Sequence, residues 1–334
     1  MEEYYPWQDA QWAQCQQRIR LGTLPHALLL SGRIGIGKHA FAHRLARRLL
    51  CDQPSESACG RCRGCHLFSV GNHPDYLGIA IEGDRQQLKI DQIRALNYFM
   101  SLSRKSCHYK IALISNPDQM NKNAANSLLK TLEEPPAFSL IVLVTARRAL
   151  LPATIISRCQ QLTFSIPPHD VARAWLKRQA PAADADRLLA LAAGAPLKAL
   201  ELSAGNWLEA RQAVFKNVVH MVAAIESPVT IAARWQQFAP EPLLSWLLSG
   251  LTDIAKLRAD SAFNRLNNPD IDQELRALAK RIDSQAVYTL YDTMLQHRRR
   301  QQGSHNPQLM IEHIVLAWKT AFKHSTFGRN DGGS

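Results

Sequence analysis

One segment, Gly32-Arg33-Ile34-Gly35-Ile36-Gly37-Lys38-His39, constrains this chain more than any other. It fits G-x-x-x-x-G-K, the pattern of a phosphate-binding loop, up to its last position. The apolar run His26–Ser31 (HALLLS) before it reads as a buried strand, and Lys38 to about Leu50 reads as an amphipathic helix. In that setting glycines let backbone N–H groups converge on an anion, and the lysine meets terminal phosphates. The following helix adds its positive N-terminal end.

The rest of residues 24–165 repeats this alternation. Strands are expected over Asp75–Ile81, Tyr109–Ile114, Phe138–Thr145 and Gln160–Phe164. Asp91–Leu102 carries Ile93, Leu96 and Met100 at helical spacing, and Asn121–Glu134 carries Ala124, Ala125, Leu128, Leu129 and Leu132 until Pro135-Pro136 stops it. Phe138–Thr145 is continuously apolar, as in strands covered on both faces. The fold class is therefore α/β, a parallel sheet with helices on both faces. Past Pro167-Pro168 the texture is helical only, with a break at Gly194-Ala195-Pro196 and a strongly apolar stretch over 243–257. Three domains are expected: 1–166 α/β, 167–206 small and helical, and 207–325 larger and helical. A disordered tail is expected over 326–334, and no internal repeat is detected.

Composition excludes some classes. Of 334 residues 46% are hydrophobic and 20% charged, a balance that excludes disorder. Lys plus Arg exceed Asp plus Glu by 12, which suits polyanionic partners and says nothing about fold. The apolar run Leu140–Ala146 falls far short of the ~18 residues of a membrane helix. Met1–Pro6 has neither the basic nor the apolar region of a signal peptide, so a cytoplasmic protein is expected.

The loop lacks its metal chemistry. Where Ser or Thr would bind magnesium stands His39, and imidazole is a poor ligand for so hard an ion. The strand Ile111–Ile114 should end in acids and ends in Ser115-Asn116, which carry no charge to orient metal or water. Asp118, beyond Pro117, reads as a turn or N-cap residue. The loop is therefore expected to be degenerate for hydrolysis; the alternative is an active ATPase motor using Lys38 with ligands elsewhere. Lys38 itself is either a residual phosphate contact or a solvated lysine at a helix start.

Four of seven cysteines, Cys51, Cys59, Cys62 and Cys65, form C-x7-C-x2-C-x2-C with Gly60 and Gly64 in the turns. Four thiolates so spaced suit a structural zinc ion in a module at about 51–66. An iron–sulfur cluster would need a further C-x3-C-P element, and disulfides do not suit a chain without an export signal. His66 could replace one sulfur.

The segment Asn126-Ser127-Leu128-Leu129-Lys130-Thr131-Leu132-Glu133-Glu134-Pro135-Pro136, followed by Ser157-Arg158-Cys159, resembles the signature of bacterial clamp-loader subunits of the AAA+ ATPase class. The likeness runs from HALLLSGRIGIGK through the cysteines to SRCQQLTF and continues more weakly, with Asn306–Trp318 similar to a collar helix. It implies an AAA+ P-loop-type domain with a zinc-binding insertion, a helical lid and a C-terminal helical collar for oligomerisation. Arg158 then matches an arginine finger offered in trans to a neighbour's ATP. Thr145 falls at the first sensor, and Leu197 stands where the second-sensor arginine is expected. The resemblance further implies a non-catalytic stator in DNA polymerase III holoenzyme. Its partners would be ATPase subunits and a delta-type subunit in a five-membered ring that loads the sliding clamp onto primed DNA. A free-standing zinc-containing DNA-binding protein is the third reading. Arg298-Arg299-Arg300 reads as a DNA or acidic-partner contact or a solvated face, and Arg44, Arg47 and Arg48 as neighbour or solvent contacts.

Overall fold

The computed structural model of the protein describes residues 4–53, 55–81, 87–105, 109–204, 207–300 and 306–324. Cys107 and the expected tail over 326–334 lie outside the described residues. The chain divides into two compact units, one of residues 1–175 with 194–198, the other of 176–193 with 199–334.

The first unit is built on five parallel strands: β1 (Ala27–Gly32), β2 (Tyr76–Ile79), β3 (Lys110–Ser115), β4 (Ser139–Thr145) and β5 (Gln160–Phe164). Their order is β2-β3-β4-β1-β5, with Leu28 opposite Val142 on one side and Gln160 on the other. α1 (Asp9–Arg20) precedes them, and between them run α2 (Lys38–Leu49), α3 (Arg63–Ser69), α4 (Ile90–Ser101), α5 (Lys122–Glu133) and α6 (Ala153–Ile156). This is the parallel α/β arrangement the periodicity implied.

Side-chain alternation along the strands splits the core into two layers. Leu28, Leu30, Leu113, Val142 and Val144 pack with Phe41, Leu45 and Leu49 of α2. Leu29, Ile114, Ile141 and Leu143 pack with Leu96 of α4 and Leu128 and Leu132 of α5 on the opposite face. All seven residues of β4 are buried, as a strand covered on both faces requires.

Four strands, β1 to β4, start one residue later than expected, two of them for evident local reasons. β4 begins at Ser139 because Phe138 has φ of 57°, a left-handed conformation that no strand continues. β2 begins at Tyr76. The fully buried Asp75 carboxylate accepts hydrogen bonds from the Lys105 backbone N–H at 2.9 and 3.1 Å and lies 3.5 Å from Lys110 Nζ. The α1 helix and the short α3 were not legible from periodicity.

The second unit is helical among its described residues. It contains α8 (Ala185–Leu191), α10 (Trp207–Val222), α11 (Pro228–Trp235), α12 (Pro240–Ala259), α13 (Asp272–Ala279), α14 (Ser284–Arg300) and α15 (Pro307–His324). Helices α7 (His169–Gln179) and α9 (Pro196–Ser203) carry residues of both units. Trp235, Trp318 and Phe215 are fully buried at the second unit's centre with Leu243, Leu247 and Leu251 of α12. The apolar stretch over 243–257 is thus core. No helix among the described residues is long and apolar enough to cross a membrane.

Candidate functional site

The loop between β1 and α2 has the bend its glycines permit. Gly37 takes φ of 86°, and a Cβ there would lie 2.5 Å from the Tyr5 ring, so both conformation and space demand glycine. The loop is held in shape by the chain itself. Trp7 Nε1 and Gln8 Nε2 donate to the Ile36 carbonyl at 3.0 and 2.9 Å. The Leu197 backbone N–H donates to the Gly35 carbonyl at 3.0 Å. Tyr5 and Trp7 stack 5.1 Å apart, and both meet Trp175 edge-on. Neither the Pro6–Gln8 turn nor its use as a strap over the loop carries a local sequence signal.

Lys38, at the start of α2, is buried and turns its Nζ back to the Arg33 carbonyl at 2.6 Å. Burial pushes its ammonium down to about 8, against a smaller opposing pull from Asp118. His39 and Ser115 are brought together: His39 Nδ1 and Ser115 Oγ lie 3.4 Å apart. The imidazole is held below its ordinary range, first by desolvation and then by Lys38 and His43. The last loop position and the end of β3 thus face each other, an imidazole opposite a hydroxyl. Asn116 follows in a left-handed conformation, with φ of 53°, leading into the turn.

Asp118 is more than a turn residue. Its buried carboxylate accepts from Thr145 Oγ1 at 2.5 Å and pairs with Arg147 Nη2 at 2.7 Å. The Thr145 hydroxyl, at the end of β4, also accepts the Arg147 backbone N–H at 2.9 Å. Both sensor-like positions therefore lie near the loop in roles internal to the chain, Thr145 on Asp118 and Leu197 on Gly35.

Five residues of the 126–136 segment have an assignable task. Ser127 and Thr131, one turn apart on α5, bind Asn97 of α4: Asn97 Nδ2 donates to the Ser127 carbonyl at 2.8 Å, and Thr131 Oγ1 donates to Asn97 Oδ1 at 2.8 Å. Leu128 and Leu132 fill the core. Glu133, the last residue of α5, reaches Arg158 Nη2 with Oε1 at 2.6 Å. Arg158, just past α6, also donates through Nη1 to the Thr154 carbonyl at 3.0 Å.

A second site begins where α2 ends. The sulfurs of Cys51, Cys59, Cys62 and Cys65 lie within 4.8 Å of one another. Cys51 and Cys62 Sγ are 3.8 Å apart, about the edge of a sulfur tetrahedron around an ion with 2.3 Å bonds. Backbone N–H groups of Cys59, Cys62 and Cys65 point at the sulfurs of Cys51, Cys59 and Cys62 at 3.3, 3.4 and 3.3 Å. Such donors stabilise thiolates, and those of Arg61 and Cys62 hold the Cys59 thiol below its ordinary range. Gly64 lets α3 approach the chain closely, since a Cβ there would meet the Leu50 carbonyl at 2.4 Å. Its N–H donates to Asp52 Oδ2 at 2.9 Å. The donor set can hold a metal ion with four sulfurs, while His66 is exposed and outside the cluster.

The basic residues are divided. The Arg44 guanidinium is taken up within the chain, 3.8 Å over the Trp12 ring. Arg298 and Arg299 are exposed at the end of α14.

A parallel sheet with a glycine-rich loop between its β1 and the start of α2 defines an α/β protein of the phosphate-loop type. Family models agree: one described as DNA polymerase III, delta subunit, matches residues 7–168, and one for the C-terminal part of that delta subunit matches 205–320. The chain is 32% identical to DNA polymerase III subunit delta' of Pseudomonas aeruginosa over 95% of its length and 98% of the relative's. It is 32% identical to that of Escherichia coli K12, covering 94% of each, and 33% identical to that of Bacillus subtilis, covering 89% and 92%. The chain belongs to the DNA polymerase III delta' subunit family.

Proposed function

We propose that this chain is a non-hydrolysing stator of the clamp loader of DNA polymerase III holoenzyme, one of five ring members with ATPase subunits and a delta subunit. In that role it helps place the sliding clamp on primed DNA, working in the cytoplasm. Its C-terminal helices, 207–325, act as the collar that joins the ring. Residues 167–206 act as the lid of the 1–166 domain, and Arg158 is the finger offered to the ATP of a neighbouring subunit.

The observation that supports this reading is the pair His39–Ser115, 3.4 Å apart, which we take to stand in for the metal ligand and the acid. Hydrolysis needs hard oxygen ligands to hold magnesium and a charge to polarise water. A neutral ring facing a hydroxyl supplies neither. The family membership supports the clamp-loader role, and Arg158 is partly exposed, with its guanidinium accessible from outside. In the cysteine module, closed four-sulfur coordination favours zinc, where the ion staples the excursion between α2 and β2 without taking part in chemistry.

Two measurements test the reading. The purified chain turns over no Mg–ATP; appreciable turnover would reject the stator role and favour an active motor. In the reconstituted complex, Arg158→Ala lowers DNA-stimulated ATP turnover by about tenfold or more. Wild-type turnover in that complex removes the finger from the assignment.

A further inference from the structure

In the segment around Glu133, Ser127, Leu128, Thr131 and Leu132 are engaged on α4 or in the core, whereas the Glu133 carboxylate reaches Arg158. We infer that Glu133 is the positioning residue of Arg158, orienting its guanidinium for an anion outside the chain. The inference rests on the finger reading above.

Three observations carry it. The first is geometric: Glu133 Oε1 sits 2.6 Å from Arg158 Nη2, a charge-assisted contact at the short end of its range. The second is a count of donors. A guanidinium has five N–H groups. The Thr154 carbonyl and Ser157 Oγ both accept from Nη1, at 3.0 and 3.5 Å, and Glu133 Oε1 meets Nη2 as an ion pair. The Nε and Nη2 hydrogens remain for an incoming phosphate oxygen. The carboxylate therefore fixes the plane of the group without consuming its recognition edge.

The third observation is that the pair is not needed to hold its two helices. Leu128 and Leu132 of α5 and Ile155 of α6 are already buried in one apolar cluster. Arg158 and Glu133 side chains are 36% and 48% exposed, and pairs at that exposure add little to stability. A free arginine side chain would have to be ordered from many rotamers each time a phosphate arrives. Anchored through Glu133 at the rigid end of α5 and through Thr154 on α6, Arg158 is ordered beforehand. The adjoining Glu134 is exposed and serves as the internal control.

The experiment uses the full chain in the reconstituted complex, reading DNA- and clamp-stimulated ATP turnover. Glu133→Gln lowers kcat by about threefold to tenfold, leaves KM for ATP within about twofold, and leaves assembly unchanged. Glu133→Asp restores part of the loss, and Glu134→Gln turns over as wild type. In the Arg158→Ala background Glu133→Gln has no further effect, a cycle that holds even if the single variant is less stable. Wild-type kcat for Glu133→Gln, beside a defective Arg158→Ala, overturns the inference and spares the finger. A raised kcat also overturns it, since Glu133 would then be a restraint. If Arg158→Ala itself is silent, it is the finger reading that fails.

Discussion

The two ends of α2 carry the two motifs legible in the sequence, and they have met opposite fates. At the N-terminal end the loop's carbonyls and its lysine are engaged by Trp7, Gln8, Leu197 and Arg33, and His39 faces Ser115. At the C-terminal end four sulfurs lie within 4.8 Å of one another, three of them accepting from backbone N–H groups. In the function proposed above, the first motif contributes a shape without metal chemistry, and the second contributes four sulfurs able to hold a metal ion. A motif fixes where groups stand, whereas function depends on which of their donors and acceptors are still unsatisfied.

The contrast can be broken most forcefully at the cysteines. Cys62→Ser, or chelation of the wild-type chain, removes the ion and costs more than about 5 kcal/mol within the module. Metal analysis should find one zinc per chain before treatment, and limited proteolysis should then cut within 51–66. Resistance to cleavage after metal loss would make the cluster an ordinary set of thiols. At the loop, His39→Thr combined with Ser115→Asp returns oxygen ligands. It should tighten magnesium-dependent ATP binding by about tenfold, or 1.4 kcal/mol, in equilibrium dialysis. No gain would place the loss elsewhere than in the metal ligands.

A smaller effect tests the strap. Gln8→Leu leaves Trp7 as the only strap donor to the buried Ile36 carbonyl and should lower stability by about 1 kcal/mol in urea. The last test is a slope. Lys38 is held at about 8 against an ordinary 10.5, so the folded state sheds its proton more readily than the unfolded one. Stability attributable to Lys38 must therefore rise with pH between those two values. Wild type should gain on Lys38→Met as the pH climbs from 7 to 10, and a flat difference would mean an exposed ammonium.

Sheet and loop were readable because their signals are local and periodic: period two in the strands, 3.6 in the helices, glycines at fixed offsets. What escaped reading was long-range. Trp7 meets Ile36 across 29 positions, Asp118 meets Arg147 across 29, and Glu133 lies 25 residues before the arginine it holds. No spacing rule links such pairs, since the topology alone brings them together. Asp118 also shows how a residue that reads as punctuation after a proline becomes the buried acid of its neighbourhood. The strand expected over Asp75–Ile81 is shorter at both ends: Asp75 turns its carboxylate to the Lys105 N–H and Lys110, and pairing with β3 ends at Ile79 opposite Ile114.

The strand order has a consequence for how the protein is made. β1 lies between β4 and β5, and its Ala27 pairs with Ile141, a residue synthesised 114 positions later. At a ribosomal pace of roughly 5–20 residues per second, the run Ala27–Leu30 waits about 6–23 seconds for its first partner. Through that interval the nascent polypeptide displays one of its most apolar stretches to the crowded cell, and a holding chaperone would find its target there.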